Sequence, residues 1–159
     1  MAGCEGGTVY TKILVPLDGS RLAEQVLPYA RFLMARLKVP VELLGVIDLA
    51  AIAISVHSHN ARYLSRLADE SRRASETYLE RISKTVPEVS ITSSVETGKP
   101  EEVIIEKAAR DKRTSIAVAT HGRSGVKRWT LGSVTEKVVR HSRSPVLVVR
   151  AADDDQETK

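Results

Sequence analysis

Five short runs of aliphatic, often β-branched residues punctuate the chain, at residues 12–17, 41–47, 89–95, 115–119 and 145–149, and a helix-patterned segment separates each from the next. Short apolar runs of this kind suit strands buried on both faces, and such strands need helices over both sides of their sheet. A helix between successive strands makes parallel, right-handed crossovers the natural connection. The pattern β-α-β-α-β-α-β-α-β therefore predicts one doubly wound α/β domain: a five-stranded parallel sheet, order 3-2-1-4-5, with helices on both faces. A length of 159 residues, 42% of them hydrophobic, is enough for one well-buried core and short for two.

The segments between the strands carry their own punctuation. After the first run come Asp18, Gly19 and Ser20, a tight turn with Ser20 as N-cap of a helix to about residue 38, bent at Pro28. Asp48 closes the second run. Residues 49–60 are small, apolar and irregular, and read either as a flap near a site or as a short extra helical turn. A long amphipathic helix follows, with Leu64, Leu67, Ala68, Ser71, Ser75, Tyr78, Leu79 and Ile82 on one face, ending before Pro87. The third run alternates in part, as an edge strand does, and Gly98 and Lys99 then lead into a helix opened by Pro100, Glu101 and Glu102. Residues 1–9 and 151–159, the latter with three consecutive aspartates, read as frayed ends around a domain of residues 10–150.

Open parallel sheets hold ligands beyond the carboxyl ends of their strands, where the strand order reverses. Here that point lies between strands one and four. The stretch after strand four, residues 119–133, is a glycine-punctuated loop containing Gly122 and Gly132. It leads to Ser133 and Glu136, whose spacing is that of a capping box. A helix N-terminus beside such a loop is suited to an anion, so the loop reads as a phosphate cradle facing Asp18 across a crevice. Between residues 122 and 143 stand Arg123, Lys127, Arg128, Lys137, Arg140 and Arg143 against Glu136 alone. That local excess serves either as ligand attraction or as a solvated helix face. The whole chain balances 24 Lys and Arg against 20 Asp and Glu, and Trp129 is the single aromatic of the basic span, so nucleic-acid binding is not indicated. Neither the P-loop spacing nor the dinucleotide fingerprint occurs.

One cysteine, Cys4, rules out an internal disulfide framework, and no signal-like or membrane-length apolar run is present. The expectation is a soluble cytoplasmic protein with no membrane partner.

The stretches KILVPLDGS and AEQVLPYARFL within residues 12–33, GKPEEVIIEKA at 98–108, and THGRSG with LGSVTEKVVRHSRSPVLVV within 120–149 resemble the universal stress protein family in its single-domain form. The likeness covers nearly all of residues 10–150. Its most specific part is the family's nucleotide motif, Gly-x2-Gly-x9-Gly followed by Ser or Thr, which Gly122, Gly132 and Ser133 match while Ala119 stands at the first glycine. The resemblance implies ATP, or AMP or ADP, as ligand, with Mg2+ as a further candidate. Asp18, with Pro16 and Leu17 before it, would hold the ribose, and Val46 the adenine. Gly122, Arg123, Ser124, Gly132, Ser133, Val134 and Thr135 would surround the phosphates beside Ala119. It also implies a homodimer through the last strand, Pro145, Val146, Leu147, Val148 and Val149. Ala119 is tolerated if its φ is negative, as expected at a strand end.

Each residue has a plainer reading. Asp18 organises a turn, Ser133 caps a helix, and the two glycines make turns. His57 and His59 lie on a surface loop, His121 packs at a strand end, and Trp129 covers either a nucleotide or a partner. No nucleophile or acid–base set stands out, so the catalytic expectation is at most slow ATP hydrolysis, with Asp18 or Thr135 helping to hold Mg2+. The leading reading is a dimeric adenine-nucleotide-binding regulatory module of the stress response. Its rivals are a nucleotide-independent interaction protein and an adenylating type of enzyme.

Overall fold

A computed structural model describes residues 9–57, 60–85, 90–120 and 131–151. Its strands are β1 (Lys12–Pro16), β2 (Val41–Ile47), β3 (Ile91–Thr97), β4 (Thr114–Ala119) and β5 (Val146–Val149). They form one parallel sheet in the expected order β3-β2-β1-β4-β5. The helices are α1 (Arg21–Glu24), α2 (Leu27–Leu37), α3 (Leu49–Val56), α4 (Ala61–Lys84), α5 (Pro100–Ala109) and α6 (Ser133–His141). Among the described residues no helix is long and apolar enough to cross a membrane.

Successive strand residues point to opposite faces, and the sheet has two cores accordingly. Ile13, Val15, Val41, Leu43, Ala117 and Val149 pack with Ala23, Ala30, Met34, Leu79 and Ile82 of α1, α2 and α4. On the other face Leu14, Leu44 and Ile116 pack with Val103, Ile104, Ala108 and Val138 of α5 and α6.

Three segments differ from the sequence expectation, the first being β3, which runs Ile91–Thr97 where residues 89–95 were expected, residue 89 lying outside the described residues. The single helix expected over residues 20–38 is two, because Pro28 has no N–H to donate to the Glu24 carbonyl. The backbone tightens instead, Gln25 N–H bonding Leu22 O and Val26 N–H bonding Ala23 O, and α2 restarts with proline in its first turn. Residues 49–56 take the helical alternative. Asp48 caps α3 by accepting from Ala51 N–H at 3.0 Å, and none of the helix's residues is buried.

The half-polar character of β3 has a structural cause. Lys107 of α5 lies buried over the β2–β3 end of the sheet, 2.9 Å from Glu42 Oε1 and 2.6 Å from Glu96 Oε1. Lys12 Nζ lies 2.7 Å from Glu42, and Ser94 Oγ donates to it at 3.1 Å. Burial pushes the Glu42 carboxyl up, but Lys12 and Lys107 more than offset this and hold it below its ordinary value. Burial pushes Lys107 down, and Glu96 and Glu42 reverse that to leave it raised.

Candidate functional site

Three strand ends and two helix starts meet at the carboxyl edge of the sheet. β1 stops at Pro16, Leu17 stays buried, and the chain turns at Asp18 and Gly19, the latter at φ 83°. Asp18 Oδ1 accepts from Ser20 N–H at 2.9 Å and Ser20 Oγ–H at 2.7 Å, and Ser20 Oγ in turn accepts from Ala23 N–H at 3.1 Å as the cap of α1. Asp18 therefore organises the turn, and the turn fixes its exposed carboxylate at the crevice wall.

Beside it, β2 runs three residues beyond Leu44, the partner of the last β1 residue, Pro16. Strand peptide groups alternate in the neighbour they face. Ile13 N–H bonds Pro40 O and Leu17 N–H bonds Leu44 O, so the even residues of β2 turn toward β1. Val46 is the next residue to turn that way, beyond the end of β1.

The third wall is β4 and the start of α6. Ala119 lies in the β4–β5 ladder opposite Val149. Among the described non-glycine residues only Lys38 and His57 have positive φ, so alanine is unstrained here, as expected. Gly132 N–H bonds Thr120 O at 2.7 Å, and Thr135 Oγ1 donates to Ala119 O at 2.8 Å. These two bonds seat the helix one residue earlier than the capping-box reading had it. Gly132 is the N-cap, with no side-chain cap bond, and Ser133 is the first helical residue. Glu136 then lies too far along to reach back and pairs with Arg140 at 2.7 Å. The first-turn N–H groups of Ser133, Val134 and Thr135 have no partner within the helix.

Together these elements enclose a cavity of about 270 Å³ lined by Pro16, Leu17, Asp18, Ala23, Leu44, Val46, Pro100, Ile104, Val118, Ala119, Gly132, Ser133, Val134 and Thr135. Its walls are mostly aliphatic, with the Asp18 carboxylate, the Val46 peptide and the α6 N-terminus as polar points. Nine residues expected from the sequence line it; Gly122, Arg123 and Ser124, with His121 and Trp129, lie outside the described residues. So does His59, while His57 is the left-handed C-cap of α3. Among the described residues no cluster of three metal-ligating side chains occurs. Two of the cations of the basic span are engaged: Lys137 Nζ is 2.6 Å from Glu101, whose carboxyl it holds below the usual range, and Arg140 meets Glu136. That favours the solvated-face reading for those two.

Five lining residues, Ala23, Leu44, Pro100, Ile104 and Val118, are not among those expected from the sequence. Ile104 sits in an ordinary helical apolar stripe, which signals core, and only the seating of α5 over β2 and β4 shows that it also floors a cavity.

The universal stress protein family model matches residues 9–150. The universal stress protein MJ0577 of Methanocaldococcus jannaschii is 30% identical over 89% of this chain and 96% of its own. Its solved structure superposes with a TM-score of 0.77 over 92% of this chain and 99% of that one, at 29% identity. UspA from Lactobacillus plantarum gives 0.78 at 25% identity, covering 89% and 98%. A family protein from Arabidopsis thaliana with AMP bound shares the fold alone, at 16% identity and a TM-score of 0.56 over 94% and 97%.

Proposed function

This chain belongs to the universal stress protein family, and from that premise we propose that it is an adenine-nucleotide-binding regulatory protein of the stress response. The observation that carries the reading is the cavity at the β1/β4 switch point, where aliphatic walls join a carboxylate to a helix N-terminus. Aliphatic side chains from β2, β4 and α5 suit the faces of a purine. The Val46 peptide offers a donor and an acceptor to the base edge. Asp18 accepts from ribose hydroxyls, and the N–H groups of Ser133, Val134 and Thr135 receive phosphate, with Gly122, Arg123 and Ser124 completing the cradle. Gly132 leaves room for close phosphate approach. The same fold holds AMP in the Arabidopsis relative, which supports the ligand class.

ATP is the ligand we favour, with AMP or ADP as alternatives; Mg2+, where it accompanies the phosphates, would be held with help from Asp18 and would neutralise their charge. Thr135 gives its hydroxyl proton to Ala119 O, so its part is chiefly to seat α6. In this reading the chain is a binding module that hydrolyses ATP slowly at most.

Dimerisation through β5 completes the proposal. Ile116 N–H bonds Pro145 O and Thr120 N–H bonds Val149 O, so the odd residues of β5 face β4. The peptide groups of Val146 and Val148 point out of the sheet, a short unpaired edge suited to a second copy.

The test is the small-molecule mass released when protein purified from its source is denatured. An adenine nucleotide near one per chain is expected. Preparations that release none, and whose melting temperature does not move in millimolar ATP, ADP or AMP, would refute the reading.

A further inference from the structure

The two edges of the sheet are treated differently, and α4 makes the difference. In the β2–β3 ladder Val41 N–H bonds Ser90 O and Gly98 N–H bonds Ile47 O, with Val41 opposite Ile91 and Ile47 opposite Thr97. Parallel pairing then turns the even residues of β3 toward β2 and leaves Ile91, Ser93, Val95 and Thr97 with their peptide groups pointing out of the sheet. Such a row is a template for another strand.

Arg72 of α4 reaches this row. Its Nη1 donates to Val95 O at 2.8 Å, and its Nη2 donates to Thr97 Oγ1 at 2.8 Å. The guanidinium therefore lies on the outer side of β3, bonded to the backbone oxygen an added strand would need. It covers the carboxyl half of the row and leaves the peptide groups of Ile91 and Ser93, too few for a stable added strand. A planar two-pronged donor does this in a way a lysine would not.

We propose that Arg72 closes the β3 edge against strand addition by a second copy of this chain, so that self-association through the sheet is confined to the β5 edge. With β3 open as well, each chain would carry two pairing edges, and edge-to-edge contacts would run on into open assemblies. The inference does not depend on what the cavity binds, nor on wild-type protein being a dimer.

Sedimentation velocity tests it with three variants. Arg72→Ala uncovers Val95 O and is expected to form species at least twice the wild-type mass, growing with concentration. Ser93→Pro removes an outward N–H and no bond to β2, so alone it keeps the wild-type mass. Combined with Arg72→Ala it is expected to restore that mass, because the reopened edge is blocked again. The proposal is overturned if Arg72→Ala keeps the wild-type mass, or if the double variant assembles like the single one. Loss of the far-ultraviolet circular dichroism signal in Arg72→Ala also overturns it, since Arg72 would then serve to hold α4 on β3.

Discussion

Gly45 lies buried in the middle of β2, beneath α4, and its replacement by alanine tests how closely that helix approaches the sheet. The two glycines with positive φ among the described residues are Gly19 and Gly98, so Gly45 is not needed for its backbone conformation. It is needed for space. A Cβ there would fall inside contact distance of Ser75 Oγ and 3.4 Å from both Leu79 Cδ1 and Val95 Cγ2. Overpacking of this kind costs about 1–3 kcal/mol. Alanine recovers about 0.4–1 kcal/mol by restricting the unfolded chain. Gly45→Ala should therefore destabilise by about 1–2 kcal/mol, roughly 2–8 °C in Tm for a domain this size. Urea denaturation measures the cost, and a double-mutant cycle assigns it. Ser75→Ala removes the offending oxygen and leaves the rest of α4 in place. In that background Gly45→Ala should cost nothing or stabilise slightly, a coupling of about 1 kcal/mol or more. An equal cost with and without Ser75 Oγ would refute the contact as its source.

Other expectations follow from equally local features. Lys38 ends α2 at φ 54°, so Lys38→Gly should raise stability by about 1 kcal/mol in urea denaturation. The buried Thr114 Oγ1 has no hydrogen-bond partner among the described residues, and Thr114→Val should leave stability unchanged or raise it by about 1 kcal/mol. The Glu42 carboxyl is lowered below 4.5 by Lys12 and Lys107 against its burial, so its contribution is present above the unfolded value and lost as pH falls through the folded one. Lys107 is raised above 10.5, so its contribution is full below that value and lost as pH rises through the folded one. Stability measured across pH should lose part of its acid arm in Glu42→Gln and part of its alkaline arm in Lys107→Met.

Much of the architecture was legible because its signals are local. β2 runs from Val41 to Ile47 as expected, its apolar run closed by Asp48, and α6 spans the expected residues 133–141. What failed to show had other causes. α3 is apolar except for Ser55, so no periodicity distinguishes it from an irregular segment. The polar residues Ser94, Glu96 and Thr97 of β3 answer to Glu42, Lys107 and Arg72, which arrive from other elements. The helix start at Gly132 is set by bonds to Thr120 and Ala119, and the capping box at Ser133 is a local preference those bonds override. Within the cavity, strand-end residues were readable because the fold class says where ligands sit. Ile104 and Pro100 were hidden because a helix stripe looks the same over a core and over a crevice.

The central claim is that the cavity between Asp18, Val46 and the start of α6 receives an adenine nucleotide. Isothermal titration with ATP tests it most directly when wild type is compared with Gly132→Val, since Gly132 has φ −58° and ψ 151°, a backbone open to valine. Saturable binding near one nucleotide per chain is expected for wild type, with loss of that binding in a Gly132→Val protein that retains its fold. Absence of saturable binding by wild type at millimolar ATP, or undiminished binding by the folded variant, would contradict it.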